Sequence, residues 1–205
     1  MDSINKLAEL FKEFPGIGSR QAKRFVYYLL SRNSGYLENL AKLTLELKRQ
    51  IKNCSSCFRF FPADAAGAAQ CALCRDAARD SASLMIVARD ADLEAIEKSH
   101  SYNGFYFVLG GTVPILEKEP EKKIRSKALT GLVKKRAAEG LKEIIIAASV
   151  NAEGENTADF VAKLLTPIIA QFNIKLSGLG RGLSTGTELE YSDADTIKNA
   201  LKNRS

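Results

Sequence analysis

All four cysteines of this 205-residue chain fall within residues 54–74, as Cys54, Cys57, Cys71 and Cys74, in the pattern C-x2-C-x13-C-x2-C. This cluster constrains the local fold more than any other feature, because few backbone paths bring four sulfurs to one point. Each C-x2-C turn aims two thiolates together, and the intervening loop returns the second pair to complete a tetrahedron about zinc. Disulfide pairing, redox C-x2-C chemistry and an iron–sulfur cluster are the competing readings. With 45% hydrophobic residues the chain buries a full core unaided, so disulfide staples have no motive. The opening stretch MDSINKLAELFKEFPG has neither the basic start nor the apolar run of a signal peptide. No window approaches the roughly 18 apolar residues of a membrane span. The expectations are therefore a cytoplasmic location, reduced thiols, no membrane partner and one structural zinc, whose closed four-thiolate set leaves no position for catalysis.

Charge is distributed unevenly. Residues 1–60 carry 11 Lys/Arg against 5 Asp/Glu, whereas residues 61–205 carry 19 of each, so the whole net charge of +6 sits in the first part. A basic segment on a neutral body points to a localised polyanion contact, with a nucleic acid as the partner; a solvated basic face is the plainer reading.

Ile4, Leu7, Phe11 and Phe14 form a helical stripe over residues 4–14 that ends at Pro15. A second helix presents Ala22, Phe25, Val26, Leu29 and Leu30 at core-facing spacing, with Arg20, Lys23, Arg24 and Tyr27 on its other side. Between the two, PGIGSR supplies Gly16 and Gly18, which let the chain turn and leave the first amides of the second helix free for a phosphate. This is the helix-hairpin-helix device for sequence-independent DNA binding, with Arg20, Lys23 and Arg24 adding charge contacts; a plain αα-corner is the alternative. A third helix is expected from about Leu37 to Ile51, with Leu40 and Leu47 between them on its apolar side.

From residue 84 the pattern changes. Strands are expected at 84–88, 105–109, 143–148 and 174–179, separated by helices at 92–99, 121–139 and 155–172, with a last helix at 193–203. Alternating strands and helices predict an α/β domain with a parallel sheet covered on both faces. ADAAGAA, residues 63–69, reads as an exposed loop. Asp90, Asp92, Glu153 and Glu155 follow strand ends, where they would either gather around Mg²⁺ or serve as helix-start residues that complement the dipole; the second reading is preferred. His100 lacks catalytic company and is expected on a surface loop, the aromatics at 105–107 are expected in a buried strand, and GLGRGL at 178–183 is a weak glycine match.

In order, FPGIGSRQAKRFVYYLL, the cysteine segment with RDAARD, LMIVARDADLEAIE, GFYFVLGG, EIIIAASVNAEGENTADFVAKLL and GLGRGLSTGTELEYSDADTIKNAL resemble the RecR family of bacterial recombination mediators over essentially the full length. The resemblance implies four parts: a helix-hairpin-helix DNA-binding and oligomerisation domain (1–53), a four-cysteine zinc finger (54–79), a Toprim-like α/β domain (80–172) and a strand–helix tail for oligomer contacts (173–205). It implies a non-enzymatic protein that clamps gapped or partly single-stranded DNA as a dimer or a tetrameric ring. With RecO and RecF, such proteins load RecA. Arg20 and Arg24 would then face DNA, with Lys23 added on spacing, and Asp92, Glu153 and Glu155 would contribute to RecO contact.

Three departures from the family pattern bear on chemistry. Ala88 stands where a glutamate usually follows the first Toprim strand, Ala148, Ser149 and Val150 replace the usual T-N-P, and Arg181 stands where a histidine is frequent. The first two weigh against Mg²⁺ catalysis. Contrasting hypotheses are a Toprim-type primase, topoisomerase or nuclease fragment, which needs the missing glutamate, and a zinc-finger RNA-binding scaffold.

Overall fold

Asp2, Asn33, Asn151 and Asp193 each stand one residue ahead of a helix and accept a backbone N–H from its first turn. Such caps satisfy amides that have no intrahelical partner and set where each helix begins. The protein is known here from a computed structural model, which describes residues 2–63, 67–183, 185–186 and 188–203. The chain divides into two units, Met1–Lys52 and Asn53–Ser205.

The first unit is helical: α1 (Ser3–Lys12), α2 (Ser19–Leu30) and α3 (Ser34–Gln50). Ala8, Ala22 and Val26 form its buried centre, with Ile4, Leu7, Phe11 and Ile17 packed around them. The expected stripe on α2 holds for Ala22 and Val26 but not for Leu30, which is 64% exposed. On α3 no residue is buried, and Leu37, Leu40, Leu43 and Leu47 all face solvent. Ile51, expected to close α3, instead opens strand β1 (Ile51–Asn53).

β1, at the junction of the two units, and β2 (Phe60–Pro62) flank the first cysteine pair, and α4 (Ala72–Arg75) carries Cys74 with Cys71 at its N-cap. These short elements escape sequence periodicity because three or four residues hold no pattern. Asp64, Ala65 and Ala66 of the expected exposed loop lie outside the described residues. The remaining elements are β3 (Asp80–Val87), α5 (Asp90–Ser99), β4 (Gly104–Val108), α6 (Pro120–Lys123), α7 (Ser126–Ala138), β5 (Glu143–Ala147), α8 (Ala152–Phe172), β6 (Lys175–Gly178), a 3-10 turn (Leu189–Tyr191) and α9 (Ala194–Lys202).

The sheet runs β4-β3-β5-β6, and every pairing in it is parallel. Strand alternation divides two cores. Leu84, Ile86, Phe107, Ile144 and Ile146 meet Leu129, Val133, Val161 and Leu165 of α7 and α8 on one face. Met85, Val87, Tyr106 and Val108 meet Leu93 of α5 on the other. The α/β architecture with helices on both faces is thus as expected. Because β6 pairs with β5, the sheet continues past the 172/173 boundary drawn from sequence into the segment assigned to the tail.

One expected helix is split. Residues 121–139 form α6 and α7, separated at Ile124 and Arg125. The break has tertiary causes: Ile124 is buried, Arg125 N donates to Leu109 O at 2.9 Å, and the Arg125 guanidinium donates to Val108 O at 2.9 Å. The helix expected at 155–172 begins earlier, at Ala152, where Asn151 Oδ1 accepts Gly154 N at 2.7 Å and a Cβ on Gly154 would collide with Ser149 O.

Thr157, 1% exposed, ties this helix to the loop after β4: its hydroxyl accepts Val113 N at 2.8 Å and donates to Glu153 O at 2.7 Å. Thr157→Val keeps the shape but strands the buried Val113 N–H. We expect a loss of about 1–3 kcal/mol in urea unfolding with an unchanged m-value.

Candidate nucleic-acid interface and metal centre

The hairpin between α1 and α2 is built from backbone. Glu13 and Phe14 close the end of α1 by donating to Leu10 O and Phe11 O, and Ile17 N donates to Phe14 O at 3.1 Å. Gly16 sits at φ +76°, a conformation that L side chains rarely adopt, so the turn requires glycine there. Gly18 is different. Its φ of −85° suits any residue, and what matters is that it caps α2 without a side chain. Unlike α1 and α3, α2 therefore starts with no side chain bonded to its first amides, and a Cβ on Gly16 or Gly18 would meet nothing within 4 Å.

Arg20, Lys23 and Arg24 are all exposed and share one side of α2 beside this open end. Arg24 touches only the Gln21 side-chain oxygen, at 3.2 Å, and no carboxylate pairs with any of the three among the described residues. Unpaired cations next to free amides at the positive end of a helix dipole make a site for an anion.

The cysteines converge in the second unit. All four sulfurs lie within 4.8 Å of one another, and this is the one His/Cys/Asp/Glu group with metal-binding geometry found among the described residues. Cys54, Cys57 and Cys71 are buried and Cys74 partly so; none is in a disulfide. Phe58 N donates to Cys54 O at 3.0 Å and Cys74 N to Cys71 O at 3.1 Å, closing the two turns, and Cys71 N donates to Cys54 Sγ at 3.4 Å. Phe58 adopts φ +62° to complete the first turn. Cys57 Sγ and Cys71 Sγ are 3.6 Å apart, and this contact pulls the Cys71 thiol down and pushes the Cys57 thiol up. Four crowded thiols that share protons in this way have the donor set of one thiophilic ion, and the cluster fits zinc.

The finger is bonded to the sheet. Val108 N, at the end of β4, donates to Cys57 O at 2.8 Å; the Phe58 ring lies 5.4 Å from Phe107; Phe60 N donates to Asp90 Oδ1 at 2.7 Å. Just past the finger, Arg79 donates to Gly104 O at 2.7 Å and pairs with Glu97 at 2.5 Å, against the Tyr106 ring. Sequence reasoning missed Arg79 and Glu97, because an Arg and a Glu 18 positions apart carry no local signature.

The strand-end carboxylates do not gather. Asp90 holds the finger, and Asp92 Oδ2 accepts Arg89 N at 2.9 Å, which starts α5 two residues earlier than expected. Glu153 bonds the Thr112 hydroxyl, while Glu155 pairs with Arg181 at 2.9 Å. Asp92 and Glu153 still line one small cleft of about 80 Å³ with Ala88, Arg89 and Thr112. Glu155 lies apart, between larger clefts toward the tail. Helix-start chemistry thus accounts for Asp92, as preferred from the sequence. His100 caps α5 in a left-handed conformation, exposed, and Tyr106 and Phe107 are buried in β4.

Family models match the chain in three places: "RecR, helix-hairpin-helix" over residues 4–46, "Toprim domain" over residues 82–176 and "RecR, C-terminal" over residues 182–205. The Recombination protein RecR of Limosilactobacillus reuteri (strain DSM 20016) is 35% identical over 205 residues, covering 99% of this chain and 96% of the relative. That of Synechococcus sp. (strain JA-3-3Ab) is 36% identical over 201 residues, 98% and 96% of the two chains, and that of Syntrophobacter fumaroxidans (strain DSM 10017 / MPOB) is 35% identical over 201 residues, 98% and 94%.

The chain belongs to the RecR family. Membership gives it a part in DNA recombination and repair. The RecR helix-hairpin-helix match spans α1, α2 and most of α3, so the uncapped start of α2 lies inside it. The Toprim match takes in β3 through the start of β6, in keeping with the four-stranded sheet. The four cysteines lie between these two matches. No helix of the structure is long and apolar enough to cross a membrane, among the described residues.

Proposed function

We propose that this RecR-family protein is a DNA-binding recombination mediator without catalysis of its own, which clamps gapped or partly single-stranded DNA as a ring-like oligomer in the cytoplasm. With RecO and RecF it promotes RecA loading at single-stranded gaps. The observation that carries this reading is the bare N-terminus of α2 flanked by Arg20, Lys23 and Arg24, none with a carboxylate partner among the described residues. A phosphate accepts from the free amides while the three cations neutralise its neighbours, which ties affinity to salt and not to base sequence. Gly16 and Gly18 keep the approach clear.

The cysteine cluster holds one structural Zn²⁺ in this proposal. Its four ligands leave no open coordination position, so the ion supplies folding free energy and not a Lewis acid. The non-enzymatic reading is supported by Ala88, which puts a methyl group where a Toprim enzyme needs a carboxylate, and by the separate engagements of Asp90, Asp92, Glu153 and Glu155. Asp92 and Glu153 in the strand-end cleft, together with Glu155 in the separate clefts toward the tail, are proposed as the RecO-contacting surface. In this proposal the hairpin domain takes residues 1–53, the finger 54–79, the Toprim-like domain 80–172 and the tail 173–205, whose first strand, β6, completes the sheet.

Self-association is supported by α3. A 17-residue helix with Leu37, Leu40, Leu43 and Leu47 in solvent leaves an apolar stripe that a second copy would cover. Leu40→Glu with Leu47→Glu is expected to lower the mass seen by light scattering while the far-UV CD signal is kept; an unchanged mass would remove α3 from the interface.

The test of the whole reading is a salt-titrated binding assay on gapped duplex, with and without RecO, alongside metal analysis. Salt-sensitive binding strengthened by RecO and about one zinc per chain are expected. Cleavage on adding Mg²⁺ would move the assignment to a Toprim enzyme, and a preference for RNA would move it to a zinc-finger scaffold.

A further inference from the structure

The outer face of α2 carries more than cations. Arg20 and Tyr27 are seven residues apart, so they lie on one line about 10 Å apart along the axis. Arg24 and Tyr28 fall beside that line. Tyr27 is 58% exposed and Tyr28 45% exposed, both on sides of α2 turned away from the Ala22 and Val26 core. Arg32 lies with its guanidinium 4.1 Å from the centre of the Tyr28 ring and 5.8 Å from that of Tyr36, and the two tyrosines meet edge to face at 6.3 Å. Tyr28 is therefore held in place by a cation and a second ring, while Tyr27 has no ring partner among the described residues. The sequence of α2, SRQAKRFVYYLL, contains no acidic residue.

We propose that Tyr27 and Tyr28 form a base-stacking strip that takes the unpaired bases of single-stranded DNA while the hairpin holds its backbone. The inference rests on the hairpin being the phosphate contact and adds to it the part that senses strandedness. Phosphate contacts do not distinguish a paired from an unpaired strand, since both present the same anion. Exposed aromatic rings do: only an unpaired base offers a free face, and such stacking tolerates any base. The charge pattern selects this occupant. A purely apolar partner would leave Arg20, Lys23, Arg24 and Arg32 uncompensated around the rings, whereas a nucleic acid strand supplies anions and flat apolar faces at alternating positions. Tyr28, already ordered by Arg32, loses little side-chain entropy on stacking.

The test uses the full-length protein with a fluorescent oligothymidylate and a blunt duplex of the same length. Tyr27→Ala and Tyr28→Ala are each expected to weaken oligothymidylate binding about 5- to 100-fold, the range of one lost base–aromatic stack. Duplex binding should stay within about 2-fold and the salt slope should be unchanged, since no phosphate contact is removed. Tyr27→Phe and Tyr28→Phe should bind as wild type. The chain has no tryptophan, so its tyrosine emission is unobscured and should be quenched by oligothymidylate, less so in the alanine variants. Equal binding of oligothymidylate by wild type and the alanine variants overturns the strip while leaving the hairpin reading intact. An equal loss on duplex, or a change of oligomer mass accompanying the loss, overturns it in favour of a role in phosphate contact or self-association. A wild-type protein that binds neither DNA overturns both readings.

Discussion

Cys71→Ser is expected to abolish metal binding and to unfold the segment from Cys54 to Cys74. Structural zinc in finger peptides contributes about 10–16 kcal/mol to folding at pH 7. That is as large as the whole stability of an ordinary domain, about 5–15 kcal/mol, so losing a buried ligand is not absorbed locally. Among its described residues the buried side chains are Cys54, Cys57, Cys71 and Phe61, and three of those four belong to the proposed ligand set. The damage should spread along the bonds that join the finger to the sheet. Hydrogen exchange should quicken at Val108, whose N–H is held by Cys57 O, and at Phe60, whose N–H is held by Asp90, while Ile144 and Ile146 in the central strand β5 stay protected. Metal analysis should fall from about one ion per chain to none, with a large drop in Tm. A metal-free variant that keeps the wild-type Tm and exchange pattern would show that the cysteines pack as thiols.

Arg20→Glu combined with Arg24→Glu is the second large effect. Neither side chain contributes a buried contact or an ion pair, so far-UV CD and urea unfolding should match wild type. DNA binding should not. The double change moves four charge units against the backbone at a surface where each is worth up to about 1 kcal/mol, giving on the order of 10- to 100-fold weaker binding near 0.1 M salt. The slope of log K against log salt should fall by about 2, one for each lost phosphate contact. Wild-type affinity with an unchanged slope would take the hairpin out of the DNA contact altogether.

The legibility of the chain from its sequence varied with the range of the interaction. The cysteine spacing named all four members of the cluster, because two tight turns and one loop nearly suffice to bring the sulfurs together. The glycines and cations of the hairpin could be read for the same reason: the turn, the helix start and the side chains span only residues 14–24. Short continuous apolar runs at 84–88 and 143–148, alternating with amphipathic helices, announced the parallel sheet. Spacing already put Tyr27 on the cation side of α2, whereas Tyr28 was not singled out, since its exposure and its contacts with Arg32 and Tyr36 depend on the turn into α3.

Where the sequence misled at 121–139, a distant partner had intervened. The helix expected there breaks because Arg125 serves the distant Val108 and Leu109; α5 starts early for a local reason, Asp92 capping Arg89, and the four strand-end carboxylates part company, in keeping with the preferred reading, with Phe60, Thr112 and Arg181 claiming three of them. By itself, then, the sequence determined the motifs, the element types and the family, since local turns, hydrophobic periodicity and motif order are properties of neighbouring residues. Only the tertiary structure decided which charged and polar groups are used up internally and which stay free. Hydrogen bonds and ion pairs form between whatever the fold brings within about 3 Å, and for Arg79 and Glu97, or Asp90 and Phe60, that distance has no counterpart along the chain.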